Sequence, residues 1–69
     1  MTREPVRRRP VEVTTAWLVA PGDVLVGGVR VLSVRREARS RTVTISTDRQ
    51  PEGIEVAGDH PVRVESRAG

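Results

Sequence analysis

The stretch RTVTIST, residues 41–47, alternates polar and apolar side chains along its length. A period of two places successive side chains on opposite faces of a β-strand. Val43 and Ile45 are therefore expected to face a core, with the threonines and the serine beside them on the opposite face. Other runs share this pattern: Val11-Glu12-Val13, Val29-Arg30-Val31, Ile54-Glu55-Val56 and Val62-Arg63-Val64. The chain is predicted to form an all-β domain.

Turns divide the chain into five to six short strands, at intervals of about ten residues. Pro21-Gly22-Asp23 ends a first strand predicted over residues 11–19, and Gly27-Gly28 signals a two-residue hairpin loop. The polar segments 37–41 and 48–53 form later turns. This spacing predicts a small single-domain barrel or a strongly bent antiparallel sheet, with no helix longer than a single turn.

One predicted strand, residues 29–36, changes the face on which its apolar side chains lie. Val29 and Val31 share one face, whereas Leu32 and Val34 share the other. Such a switch indicates a β-bulge or a strand that is buried on both sides. The predicted core consists of Val13, Trp17, Leu25, Val29, Val31, Leu32, Val34, Val43, Ile45, Ile54, Val56, Val62 and Val64.

Length and composition limit the possible functions. Sixty-nine residues form one domain, predicted over 11–65 between a disordered basic arm at 1–10 and a frayed tail at 66–69. The chain has no cysteine and one histidine, so we expect no disulfide, metal site or cofactor. A domain this small is marginally stable, and the additional stability would then come from a partner or from oligomerisation. No apolar stretch approaches the roughly 18 residues of a membrane span, and we expect a cytoplasmic protein without membrane contact.

All twelve basic side chains are arginine. Residues 1–41 carry nine of them against four acids, and residues 42–69 carry three against five acids. A GC-rich genome also raises arginine content, but it does not account easily for this polarisation along the chain. Guanidinium groups bind phosphate or carboxylate in a bidentate manner, which favours an anionic partner.

The arginines of one predicted hairpin and of the N-terminal arm form the candidate binding site. Pairing of the two strands would bring several guanidinium groups to one edge, and a basic patch with a flexible arm is typical of sequence-independent phosphate contact. The structural alternative is an edge strand that charge protects from aggregation. The candidate nucleic-acid-binding residues are Arg7, Arg8, Arg9, Arg30, Arg35, Arg36, Arg39 and Arg41.

Two further residues are functional candidates because of their chemistry. Trp17 is the only aromatic residue, and its side chain is expected either to pack in the core or to lie exposed at an interface. A single ring cannot stack against several bases of a nucleic acid. His60 is the only obvious general acid or base, and Asp59 beside it could orient its ring. No nucleophile motif accompanies them, so we expect no catalytic site, no enzymatic activity and no small-molecule substrate.

Two segments resemble known families. VAPGDVLVGGVRVLSV, residues 19–34, resembles the opening of SH3-like and KOW-type barrels, which implies a small barrel that binds RNA, DNA or protein. IEVAGDHPV, residues 54–62, is similar to the Asp-His-Pro segment of the hedgehog/intein (Hint) fold. In that fold the histidine of this segment assists an acyl shift, and His60 occupies the matching position. In this chain, however, Ala57 replaces the usual threonine, and there is no cysteine. The second resemblance is therefore to the Hint fold without its catalytic residues, and we expect no catalysis from it.

The sequence thus predicts a non-enzymatic interaction module. The leading interpretation is binding of nucleic acid or ribonucleoprotein through the arginine-rich hairpin and arm. The alternative is a protein–protein adaptor or a small homo-oligomer that associates through a sheet edge or Trp17. The salt dependence of binding distinguishes these interpretations, because phosphate contacts weaken steeply as the salt concentration rises and apolar association does not.

Overall fold

In the computed structural model, which describes residues 11–68, six strands form one antiparallel sheet. The all-β prediction is confirmed, and the only helical segment in this range is a single 3-10 turn, Ala16–Leu18. The spatial order β1-β6-β2-β3-β4-β5 leaves β1 and β5 as edges, so the sheet is open. The strands are β1 (Glu12–Thr15), β2 (Val24–Leu25), β3 (Val29–Glu37), β4 (Thr42–Thr47), β5 (Ile54–Ala57) and β6 (Pro61–Ser66).

The sheet bends around one apolar core. Its buried centre combines Val31 of β3 with Val43 and Ile45 of β4, and with Ala16 and Val19 from the segment after β1. Side chains of β2 and β6 reach the same cluster as β4, although β3 lies between β2 and β4. These contacts place the core on one face of the open sheet, its concave face. The partly buried residues packed against this centre are Trp17, Leu25, Val34, Val56 and Val62.

The β2–β3 hairpin forms where the two glycines predict it. Gly27 and Gly28 have φ angles of 90° and 75°, which glycine adopts without steric cost. Leu25 pairs with Val29, so the loop contains three residues rather than the predicted two, with Val26 as its first member.

The predicted β-bulge in β3 is confirmed. Val31 pairs with Thr47 and Ser33 pairs with Ser46, which leaves Leu32 as an extra residue without a partner on β4. Leu32 is 51% exposed, so its predicted place in the core is wrong. The reason is the bulge itself, which sets its extra residue outside the normal alternation of faces.

The first strand is shorter than the sequence predicts. It ends at Thr15, and the chain then enters the 3-10 turn instead of continuing to Val19. Two hydrogen bonds to the turn before β6 cause this change: the N–H of Ala16 donates to the carbonyl of His60 and that of Trp17 to Gly58, both at 2.9 Å. Ala16 and Val19 become fully buried, and the sequence did not place them in the core.

Two other predicted core residues lie at the edges of the sheet. Val13 is 65% exposed because it pairs with the exposed Arg63, and residues directly opposite each other share a face. Its assignment to the core is therefore wrong. Ile54 is 45% exposed because β5 is an edge strand that pairs only with β4 in the described part of the chain, so its assignment is wrong too. Val29 is half-buried.

The end of the described chain is tied to a buried carboxylate. Asp23 is 1% exposed and accepts hydrogen bonds from the N–H groups of Ala20 at 2.9 Å and Ala68 at 2.6 Å. The guanidinium of Arg67 lies 3.8 Å from the same carboxylate. β6 also extends to Ser66, so the segment predicted as a tail begins inside the sheet and is then fastened to the turn before β2.

Candidate nucleic-acid interface

Four exposed arginines lie along the β3–β4 hairpin. Arg30 and Arg35 belong to β3, and Arg39 and Arg41 lie in the turn that leads to β4. Arg41 has a φ angle of 54°, which is uncommon for a residue other than glycine. Its carbonyl accepts a 2.7 Å hydrogen bond from the N–H of Gly58. This bond joins the hairpin turn to the turn before β6 and fixes its backbone.

The bulge at Leu32 brings Arg30 and Arg35 to the same face of the sheet. Residues five positions apart on a regular strand point to opposite faces. Here the extra residue shifts the alternation by one position, so that the two arginines share a face. Arg30 precedes the buried Val31 and therefore faces outward. Arg35 pairs with Thr44, which faces outward between the buried Val43 and Ile45. Both guanidinium groups therefore project from the outer face of β3.

Arg36 is exposed as well, but it differs from these four arginines because its guanidinium has hydrogen-bond partners within the protein. It pairs with the buried Val43 and so lies on the concave face of the sheet. Its Nε donates to the carbonyl of Trp17 at 2.7 Å, and its Nη2 donates to the carbonyl of Val19 at 2.8 Å. Arg36, which the sequence analysis includes among the phosphate-binding candidates, thus donates hydrogen bonds to backbone carbonyls at the end of the 3-10 turn.

Two acidic side chains lie near Arg35 on the outer face of the sheet, but neither forms an ion pair with the exposed arginines of the hairpin. Glu37 ends β3 on the same face as Arg35, and Glu55 of β5 lies across Thr44 from Arg35. In the described part of the chain, ion pairs form only around Arg67, with Glu12 and Asp23. The side chains of Arg30, Arg35, Arg39 and Arg41 make no hydrogen bond or ion pair within residues 11–68.

Trp17 borders a cleft at the end of the sheet beside the arginine-bearing turn. The ring is half-buried, and a Cβ atom at Gly58 would lie 3.0 Å from its Cε3 atom, so any larger residue at position 58 would have to displace the ring by a few tenths of an ångström. The cleft has a volume of about 590 Å³. Its lining comes from three separate segments: Thr15 and Trp17, then Ala38, Ser40 and Arg41, then Ala57, Gly58 and Asp59.

His60 has a backbone role in the turn before β6. Its N–H donates to the carbonyl of Ala57 at 3.0 Å, and its carbonyl accepts from Ala16. The imidazole and the carboxylate of Asp59 are both exposed, and neither makes a hydrogen bond within residues 11–68. The same range holds no group of three His, Cys, Asp or Glu side chains that could bind a metal ion.

The arginines of the arm, Arg7 to Arg9, lie outside the described residues.

Comparison of the chain with protein-family models, with curated proteins and with solved structures gave no match. Residues 11–68 contain no helix of the length and apolarity needed to span a membrane.

Proposed function

We propose that this domain binds nucleic acid through phosphate contacts from the β3–β4 hairpin. The observation that carries the proposal is the set of four exposed guanidinium groups without an internal partner: Arg30, Arg35, Arg39 and Arg41. An arginine side chain that no acid engages is free to form bidentate bonds with phosphate oxygens. These contacts position a protein on nucleic acid without reading its bases, so sequence preference is expected to be weak.

Three features support this proposal. The small antiparallel sheet is compatible with an SH3-like arrangement, in line with the resemblance of residues 19–34 to barrels that bind nucleic acid or protein. The hairpin places two of the four arginines on one face of β3 and two at its tip. The arm adds Arg7, Arg8 and Arg9 in sequence, which would extend the contact along a phosphate backbone.

The direct test is binding of a labelled DNA duplex by fluorescence anisotropy over a range of salt concentrations. We expect weak binding whose logarithm falls linearly with the logarithm of salt concentration, with a slope of about 0.9 per neutralised phosphate. The double variant Arg35→Gln/Arg39→Gln should bind more weakly and lose about two from the magnitude of that slope. Glutamine keeps much of the aliphatic stem and removes the charge.

A matched control separates this surface from general charge. Arg49→Gln/Arg63→Gln removes the same charge from exposed arginines outside the hairpin and should change the slope much less. Circular dichroism should show that both double variants fold. Absence of duplex binding at low salt, or equal losses in the two variants, would reject the arginine surface.

The second candidate function is self-association through the edge strand β1. Among residues 11–68, β1 pairs only with β6, and Val11, Val13 and Leu18 are exposed on or beside it. An unpaired edge with apolar side chains is a template for another strand. A second copy could pair its own β1 there and cover these residues.

Size-exclusion chromatography with light scattering tests this candidate. We expect association that persists at high salt and that Val13→Lys abolishes, because a charge at the joined edge would be buried. Ile54→Lys places the same charge on the opposite edge strand and should leave association unchanged. A monomer at every protein and salt concentration would eliminate the candidate.

A further inference from the structure

The cleft beside Trp17 has the composition of a site for one flat, polar-edged molecule. Its volume of about 590 Å³ lies within the range of small-ligand clefts. An indole ring and the small side chains of Ala38 and Ala57 supply apolar surface, and Asp59 and Arg41 add one negative and one positive group. The opening is next to the turn that carries Arg39 and Arg41.

We propose that this cleft receives a single unpaired guanine of a single-stranded nucleic acid, an inference that rests on the proposed function. Stacking of one base on an aromatic ring contributes on the order of 1–3 kcal/mol and requires only one ring. Trp17 is the chain's only aromatic side chain, so the site accepts one base and no stacked run. The neighbouring bases remain outside the cleft.

Asp59 favours guanine over adenine. Its exposed carboxylate makes no hydrogen bond or ion pair within the described residues, and an ionised carboxylate only accepts hydrogen bonds. The Watson–Crick edge of guanine presents two adjacent donors, N1–H and the N2 amino group, which match the two carboxylate oxygens. Adenine presents one donor beside an acceptor, and that acceptor would face the negative charge.

The arginine turn holds the strand on either side of the bound base. Arg41 lines the cleft, and Arg39 lies in the same turn and is exposed. We expect their guanidinium groups to contact the phosphates that flank the inserted guanine. Base selection by Asp59 and backbone contact by the hairpin would be parts of one surface.

Intrinsic fluorescence gives a direct readout, because Trp17 is the only tryptophan and the chain has no tyrosine. The full chain is titrated with a short oligothymidine that carries one central guanine, and with the same strand carrying adenine or an abasic position. We expect the guanine strand to quench Trp17 and to bind roughly tenfold more tightly than the adenine strand. The abasic strand should bind with little quenching.

Asp59→Asn tests the source of the preference. It keeps the side-chain shape and replaces one acceptor by a donor, so the guanine-over-adenine ratio should fall by about tenfold. Binding of a DNA duplex should become slightly tighter, as it should for any loss of negative charge near the arginines, and it should not weaken. Glu52→Gln, an exposed acid in the turn before β5, is the control and should retain the ratio.

The outcomes separate this inference from the proposed function. Duplex binding that depends on Arg35 and Arg39, without quenching of Trp17 by the guanine strand, would overturn the cleft and leave the proposed function in place. Equal quenching by the guanine and abasic strands, or an unchanged ratio in Asp59→Asn, would also overturn the cleft. Failure to bind any nucleic acid would overturn both.

Discussion

Replacement of Val43 by aspartate is expected to unfold the domain. Val43 is 0% exposed at the centre of the core, and its strand pairs with both β3 and β5. A buried carboxylate without compensation costs several kcal/mol, and a domain of this size has a free energy of unfolding of about 5 kcal/mol. Arg36 lies opposite Val43, but its guanidinium is already oriented by its hydrogen bonds to the carbonyls of Trp17 and Val19.

The adjacent position provides the control for this experiment. Thr44→Asp introduces the same charge one residue later, on the outer face and opposite Arg35, and should leave the fold intact. Far-ultraviolet circular dichroism and urea unfolding measure both variants. A folded Val43→Asp with an unchanged urea midpoint would mean that the two faces of β4 are assigned in reverse.

The centre of the sheet could be predicted from sequence because its two faces differ in chemistry. In β4 the valine and isoleucine alternate with hydroxyl side chains, and only one orientation buries the apolar set. The glycines at 27 and 28 indicate their hairpin because few other residues accept a positive φ. The bulge was visible in the change of face between Val31 and Leu32.

The ends of β1 could not be predicted in this way. The pattern over Val11 to Val13 resembles that of the core strands, yet an edge strand buries less and its alternation does not identify the inner face. The turn into the 3-10 segment depends on carbonyls of Gly58 and His60, more than forty residues along the chain. No local pattern in the sequence specifies such a bond.

The candidate site was predicted in part. The exposed positions of Arg30, Arg35, Arg39 and Arg41 follow from the polar character of the hairpin. The inward position of Arg36 was also within reach, since the predicted bulge shifts the alternation for every later residue of β3. The cleft was not, because tertiary contacts alone bring its three lining segments together.

Asp23→Ala is expected to lower the free energy of unfolding by about 2–5 kcal/mol. Both oxygens of this buried carboxylate accept backbone N–H groups, and alanine would leave the donors of Ala20 and Ala68 without a partner. Each such loss costs about 1–3 kcal/mol. Urea unfolding measures the change, and amide hydrogen exchange at Ala68 should accelerate as the end of the chain is released.

Two matched variants distinguish the hydrogen bonds of Asp23 from its charge. Asp23→Asn keeps one acceptor and turns an amino group toward the other backbone donor, so it should lose roughly half as much stability as Asp23→Ala. Glu12→Gln removes the other acid near Arg67, at 3.7 Å on the exposed side, and should change stability by less than about 1 kcal/mol. If Asp23→Asn were as stable as the unmodified chain, the carboxylate would not be what fastens residues 67–68 to the turn before β2.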